Sequence, residues 1–160
     1  MVMTNGTHGV EAPPEQPGQV RVALLLCEAQ GEVAAGMASE GREYALGASE
    51  VAAMLALREG TAPISRLART VGIRPNGASV LVERLHARGL VTRTRSTADN
   101  RVVRVDLTTE GRDLAGQLAS RVSRRTSEVL AALDASERNQ LPILLTRITS
   151  ARIPQARAAS

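Results

Sequence analysis

Apolar side chains recur every three or four residues along most of this chain, a pattern that predicts amphipathic α-helices. One stripe runs over residues 20–39, another lies between 49 and 59, and a long one fills 109–133. The stretch 75–88 divides most sharply into an apolar and a polar face. Its apolar face consists of Ala78, Leu81, Val82 and Leu85, and its polar face consists of Asn76, Ser79, Glu83 and Arg84.

Residues that favour caps and turns divide the central part of the chain. Thr61 is a candidate N-cap for a short helix with Pro63 in its first turn, and Gly72 can end that helix in the left-handed region. Gly89 closes the helix over 75–88. Two strand-like runs follow, LVTRT and RVVRVDL, with the polar turn STADN between them. The order therefore predicts helix, turn, helix and then a β-hairpin.

The helical pattern resumes after the hairpin. Thr108 can cap the long helix, and Asp134 with Glu137 forms an Asp-led capping box in front of a last helix. We expect Pro142 to kink this last helix, because proline removes one backbone hydrogen bond and crowds the preceding turn. We also expect four of its apolar residues to be buried: Leu141, Leu144, Leu145 and Ile148.

Positive charge is concentrated around the predicted hairpin. All 20 cationic residues are arginine, and the net charge is +4. Between residues 84 and 104 the only acid is Asp99, whereas the same stretch holds arginines at 84, 88, 93, 95, 101 and 104. A guanidinium group binds phosphate or guanine through its planar fork of donors. A helix-turn-helix followed by an arginine-rich hairpin is the pattern of a winged helix that binds double-stranded DNA.

The residues of this module resemble those of the MarR family of bacterial transcription regulators. The similarity is carried by RLARTVGIRPNGASVLVERLHARGLVTR and by DNRVVRVDLTTEGRDL. It covers roughly residues 20–151 and is strong over 63–114. The spacing of the second run is the specific part: Asp99, Arg101, Leu107, Thr108, Glu110 and Gly111. The sequence departs from the family pattern at Pro75, Gly77 and Val80.

The resemblance implies a mainly α fold, namely a winged helix-turn-helix with a two-stranded β wing, flanked by N- and C-terminal dimerisation helices. The winged helix would span residues 48–108, and the dimerisation helices 20–39 and 109–151, within a single domain over 19–151. Residues 1–18, which are rich in Gly, Pro and polar residues, are expected to be a disordered tail, and 152–160 a frayed end. A homodimer would bury the apolar stripes of the terminal helices and present two recognition helices to a near-palindromic operator.

The DNA-binding candidates lie on the second helix of the motif and on the wing. Asn, Ser and Arg side chains can hydrogen-bond to base edges, Val can touch a thymine methyl group, and Arg101 suits a narrow minor groove. Asp99 is expected to orient Arg101 or to pair with Arg93. The wing arginines are expected to contact phosphates, although each has a plain solvated alternative. The full set is Pro75, Asn76, Gly77, Ser79, Val80, Arg84, Arg93, Arg95, Asp99, Arg101 and Arg104.

Two sensing modes remain open. The resemblance implies a repressor that a small molecule releases from DNA by binding between the dimerisation helices and the winged helix. Candidate lining residues are Leu24, Met37, Tyr44, Met54 and Leu55, with plain core packing as the alternative. Cys27 is a candidate redox sensor. Its neighbours in LLLCEAQ include no cation that would stabilise a thiolate, so they favour the alternative of a small buried apolar residue.

Composition and motifs exclude several other classes of function. With one Tyr and no Phe or Trp, the chain lacks the aromatic platforms that single-stranded nucleic acids stack on. No run of apolar residues is long enough to span a membrane, and no signal peptide is apparent, so a cytoplasmic protein is expected. We find no catalytic motif, no metal-spaced cluster and no cofactor motif, so neither an enzyme nor a metal site is expected. A winged helix that binds protein instead of DNA is the remaining alternative.

Overall fold

A computed structural model describes residues 17–95 and 102–151 of the chain. Within these ranges the helices and strands follow the predicted order. The helices are α1 (Pro17–Gly41), α2 (Ala48–Leu57), α3 (Ile64–Val71), α4 (Pro75–Ala87), α5 (Thr109–Val129) and α6 (Ala135–Ser150). The strands are β1 (Ala62–Pro63), β2 (Val91–Arg95) and β3 (Val103–Leu107). The predicted N-terminal tail, except for its last two residues, and the predicted frayed end at 152–160 lie outside the described ranges.

The wing is an antiparallel hairpin of β2 and β3, with Val91 opposite Leu107 and Arg95 opposite Val103. A third strand, β1, joins the other side of β3 through the pairs Ala62–Val105 and Pro63–Arg104. The mainly α winged-helix prediction is therefore confirmed, but the hairpin gains an extra strand that the sequence pattern did not predict. This strand ties the start of the helix-turn-helix to the wing.

The predicted capping role of Thr61 is wrong. Helix α3 begins only at Ile64, after Pro63 in extended conformation. The hydroxyl of Thr61 donates instead to Oδ2 of Asp106 on β3, at 3.1 Å. Pairing with β3 gives the 61–63 segment hydrogen bonds that a helical start would forgo, so the sheet determines where the helix begins.

The core lies where α2, α3, α4, α5 and the sheet meet. The predicted stripe of α4 is buried as expected, with Leu81 at 2%, Val82 at 0% and Leu85 at 0% exposure. Other helices and the strands add fully or almost fully buried side chains: Val51, Met54, Leu57, Leu67, Val91, Val105, Leu107 and Leu118. Gly72 ends α3 in the left-handed region at φ 72°, which turns the chain into α4.

The capping predictions for the last two helices are confirmed. The side chain of Thr108 accepts a hydrogen bond from Gly111 N at 3.0 Å. At α6, Asp134 accepts from the backbone N of Glu137 at 2.9 Å, and Glu137 accepts from that of Asp134 at 2.8 Å. Each bond satisfies a backbone donor that the first turn of a helix leaves unpaired.

The start of α5 packs directly against the end of α4. The backbone N of Thr108 donates to Leu90 O at 3.1 Å, and its hydroxyl donates to Gly89 O at 2.7 Å. Gly111 then passes so close to this turn that a Cβ on it would lie 1.9 Å from Leu90 O. A glycine is therefore required where α5 crosses the connection between α4 and the wing.

The terminal helices expose their apolar residues in the single chain. On α1 the exposed set comprises Val20, Val22, Leu24, Leu25, Leu26 and Val33, and on α6 it comprises Ile143, Leu144, Leu145 and Ile148. The expectation that Leu144, Leu145 and Ile148 are buried is thus wrong for the chain by itself, because no residue of α6 is buried against the described part of it. Helix α6 continues through Pro142 to Ser150.

None of the helices within 17–95 and 102–151 has the length and apolar character needed to cross a membrane.

Replacement of Gly111 by alanine is expected to destabilise the fold by about 1–3 kcal/mol, because the added methyl group must displace backbone at Leu90. Gly77→Ala is the matched control: its Cβ would meet only Ile73 at 3.9 Å, in ordinary contact. That change should stabilise the protein by about 0.5–1 kcal/mol, since alanine is the better helix former. Urea unfolding followed by circular dichroism measures both, and equal midpoints for the two variants would contradict this account of Gly111.

Candidate nucleic-acid interface

The outer face of α4 is open along its N-terminal half. Pro75 occupies the first turn, where its missing N–H costs nothing, and Arg74 precedes it as the N-cap residue. The side chains on this face are exposed: Asn76, Gly77, Ser79 and Val80, the last at 59%. Because the opposite face is buried in the core, α4 is held rigidly while this row of small and polar groups faces outward.

The structure brings this face next to the wing. Asn76 and Ser79 border an open cleft of about 300 Å³ together with Val103 at the start of β3 and Ser65 near the start of α3. The Ser79 hydroxyl donates to Pro75 O at 3.2 Å within the helix and retains lone pairs that can accept. Helix α4, the start of β3 and the start of α3 therefore border one open cleft.

Arginines lie along the wing beside this surface. Arg93 on β2 is paired with Glu83 of α4, which holds the wing strand against the helix. Arg95 is exposed two residues further along β2. On β3, Arg104 donates to Thr61 O at a long 3.5 Å. Asp99 and Arg101, the predicted partner and tip residues of the wing, lie outside the described ranges.

Arg84 has a different setting from the one expected of a base-reading residue. Its Nε lies 3.3 Å from Oε1 of Glu50, whose side chain is only 11% exposed. Sequence reasoning missed Glu50, although a signal was present: it stands at the third position of α2, three residues after Gly47, where a carboxylate can accept from the backbone N of the N-cap residue. The arginine of α4 thus binds a carboxylate of its own chain.

A second cleft opens between α1, α2 and the end of α3, with a volume of about 470 Å³. Its apolar walls include Val33, Met37 and Ala52, and its polar groups include Gln30, Ser49, Arg69 and Thr70. Of the residues predicted to line a ligand cleft, Met37 does so. Met54 is fully buried in the core, Leu24 is 59% exposed on α1, and Tyr44 and Leu55 are packed against the core.

Cys27 is exposed on α1 in the single chain, which corrects the expectation of a buried thiol. The reason is the same as for α6: the N-terminal half of α1 extends beyond the rest of its own chain. Within the described residues, no three His, Cys, Asp or Glu side chains are grouped so that they could hold a metal ion.

Comparison with known proteins identifies the fold. A probable transcriptional regulator from Pseudomonas aeruginosa is 30% identical, with a TM-score of 0.63, and the match covers 79% of this chain and 96% of that one. A MarR-family regulator from Rhodococcus sp. RHA1 has a TM-score of 0.74 at 23% identity, over 87% of this chain and 99% of that one.

The BpsR protein of Bordetella bronchiseptica, whose DNA binding is regulated by 6-hydroxynicotinic acid, is 26% identical with a TM-score of 0.68. That match covers 81% of this chain and 98% of BpsR. Among curated proteins, the HTH-type regulator YhbI of Bacillus subtilis is 28% identical over 92 residues, which are 58% of this chain and 60% of YhbI. The matched segment therefore spans less than two thirds of that relative. No protein-family model matches the sequence.

This chain belongs to the MarR family. The family similarity predicted from the helix-turn-helix and wing residues is confirmed, and so is the winged-helix fold. MarR-family proteins are transcription regulators, so the comparisons also agree with the expectation that this chain is not an enzyme.

Asn76→Ala is expected to relax the sequence preference of this MarR-family protein more than it lowers non-specific affinity. A bidentate contact between an amide side chain and a base is worth roughly 1–3 kcal/mol of discrimination. Asn139→Ala, an exposed asparagine on α6, is the matched control and should leave the selected sequence unchanged. Sequencing of DNA selected from a random pool gives the answer, and identical selected sites for Asn76→Ala and the unmodified protein would exclude α4 as the reading helix.

Proposed function

We propose that this chain is a sequence-specific regulator of transcription that binds double-stranded DNA as a homodimer and represses until a small molecule releases it. The observation that carries the proposal is the outer face of α4 next to the arginine-bearing wing. An α-helix fits the major groove, which is about 12 Å wide, and exposed Asn and Ser side chains there can pair with base edges.

The distribution of charge supports duplex DNA over a protein partner. Arg95 and Arg104 lie on the two wing strands, and Arg74 is the N-cap residue of α4. Guanidinium groups at such positions contact the phosphates on either side of a groove and fix the register of the helix without reading sequence. Arg101 of the wing, argued from sequence alone, is proposed to extend this contact into the minor groove.

The exposed apolar faces of α1 and α6 support the homodimer. A row of four large apolar residues on α6 is between 41% and 60% exposed, and α1 carries a comparable row. Contiguous apolar surface of this kind marks an interaction site in a soluble protein. A two-fold axis through these helices would set the two α4 helices roughly 34–36 Å apart, one turn of DNA, and would therefore match a near-palindromic operator.

The cleft between α1, α2 and α3 supports the effector. Its volume of about 470 Å³ suits a small organic molecule. The walls are apolar apart from a few groups, of which Arg69 is cationic, so we propose a small molecule with an apolar body and an anionic group. The regulation of BpsR by 6-hydroxynicotinic acid, a small aromatic acid, agrees with this class of ligand.

The experiment that tests the proposed function is selection of duplex DNA from a random pool by the purified protein, followed by titration of the selected duplex. We expect a palindromic consensus and an affinity that falls linearly on a log–log plot as salt rises. Recovery of no enriched sequence, with no duplex binding even at low salt, would exclude DNA binding and leave the protein-contact alternative.

Two substitutions on α6, Leu144→Asp with Ile148→Asp, are expected to separate the homodimer into folded monomers, because charges would enter the proposed interface. Thr146→Asp is the control, since helical geometry puts residue 146 on the side of α6 away from 144 and 148. Sedimentation velocity gives the mass, and circular dichroism checks the fold. A dimer that survives the double substitution at micromolar concentration would contradict the assignment of α6 to the interface.

A large side chain in the proposed effector cleft is expected to prevent a small molecule from releasing the protein from DNA, without affecting DNA binding itself. Ala52→Phe places a ring in the cleft, on the side of α2 away from the fully buried Val51 and Met54. The variant should bind the selected duplex as the unmodified protein does but should resist release by small aromatic carboxylates, with 6-hydroxynicotinate as the first probe. Thr146→Phe, an exposed site on the side of α6 away from Leu144 and Ile148, serves as the control for added aromatic surface. Equal release of both variants by an active carboxylate would place the effector elsewhere.

A further inference from the structure

Helix α4 is attached to one short segment of the chain through two arginines that are a single turn apart. Arg84 pairs with Glu50 on the first turn of α2. Arg88, four residues later, donates from Nη1 to Ala45 O at 3.0 Å and from Nη2 to Tyr44 O at 2.5 Å. Both contacts join the C-terminal end of α4 to residues 44–50, which comprise the end of the connection between α1 and α2 and the first turn of α2.

The 44–50 segment is itself held firmly. Ala45 has a positive φ of 49°, unusual for a residue with a side chain, and Leu46 is buried at 3% exposure. The backbone N of Leu46 donates to Gly41 O at 3.0 Å, and that of Gly47 donates to Oε2 of Glu50 at 2.8 Å. These constraints keep residues 44–50 in place, so a change in the position of α4 would break its contacts with them.

Helix α5 anchors the same segment from the other side. The Tyr44 hydroxyl donates to Oε1 of Gln117 at 2.9 Å, and Arg121 stacks over the Tyr44 ring at 5.5 Å. Arg121 also pairs with Glu43 at 2.6 Å, and the hydrogen bond and charge of Glu43 raise the pKa of Arg121 above its ordinary value. Residues 44–50 are thus attached to α5 through Tyr44, independently of their contacts with α4.

The burial of Glu50 gives its pair with Arg84 more weight than an exposed pair has. The Glu50 side chain is 11% exposed and that of Arg84 is 62% exposed, so the pair is buried on the carboxylate side only. Removal of the arginine would leave this carboxylate without its charge partner. Surface pairs, by contrast, contribute little. The second carboxylate oxygen of Glu50 is used by Gly47, which fixes the direction in which the first oxygen faces Arg84.

We propose that Arg84 and Arg88 are positioning residues that fix the angle of α4 to residues 44–50, and that neither reads DNA. This inference rests on the proposed function, since the angle of α4 matters only if the helix enters a groove. It replaces the role predicted for Arg84 from sequence. It also gives a role to Glu50, which determines where Arg84 lies.

A double-mutant cycle on the selected duplex tests the proposal. Glu50→Gln keeps an amide oxygen that accepts from Gly47 but removes the charge that faces Arg84, and Arg84→Met keeps the aliphatic stem without the charge. Each single substitution is expected to lower the affinity for the selected duplex by about tenfold. The double variant should lose no more affinity than either single variant. Affinity for random duplex and the salt slope should stay unchanged, because no phosphate contact is lost.

Glu128→Gln is the matched control, because it removes the same charge from an exposed pair, with Arg125 on α5, that touches neither α4 nor the wing. Its specific affinity should be unchanged. Arg88→Met provides an independent variant of the second contact and should follow the pattern of Arg84→Met. Circular dichroism verifies that each variant is folded at the assay temperature, and the two arginine variants carry the test if Glu50→Gln does not fold.

Three results would overturn the proposal. A salt slope reduced by about one in Arg84→Met would mean that Arg84 contacts a phosphate. Unchanged specific affinity in Glu50→Gln, or additive losses in the double variant, would mean that the pair does not position the helix. Failure of the proposed function looks different, since the unmodified protein would then bind no duplex at all.

Discussion

The buried stripe of α4 is the constraint on which the rest of this structure depends. Leu81, Val82 and Leu85 are almost completely removed from water where α4 packs against α2, α3 and β2. Each such side chain contributes roughly 1.5–3 kcal/mol when it is buried. A helix held in this way on one face has no freedom to roll, so its other face is presented in a fixed direction. The residues proposed to read DNA are all on that outer face.

Polar contacts then determine details that burial leaves open. Apolar packing is not directional, so it fixes the face of α4 but not its exact angle. The hydrogen bonds of Arg88 and the ion pair of Arg84 with Glu50 are directional, and we propose that they fix the angle of α4. The hydrogen bond from Thr61 to Asp106 attaches the start of the helix-turn-helix to the wing. The first turn of α2 that carries Glu50 also contributes Ser49 to the proposed effector cleft. A ligand in this cleft would therefore lie next to the residues that orient α4.

The terminal helices differ from α4, since the described part of the chain does not cover their apolar residues. Helix α6 extends from its capping box with no residue buried against the described part of the chain, and the first half of α1 is exposed on all sides. Such helices gain most of their stability when their apolar stripes pack against a partner. We propose that a second copy covers them. Under that proposal, Cys27, which is exposed in the single chain, would lie close to the dimer interface.

Local sequence determined the helices of the winged module and their buried stripe, through periodicity, and the caps at Thr108 and Asp134, through residue type. It also carried the family resemblance, because all of these features depend on residues close together in the chain. Tertiary structure decided what depends on distant residues. The pairing of Ala62 with Val105 moved the start of α3 and added a strand. Glu50, 34 residues before Arg84, holds that arginine in an ion pair that the sequence pattern did not predict. The single chain leaves the apolar stripe of α6 exposed, because a periodic stripe specifies which face is apolar but not which surface covers it.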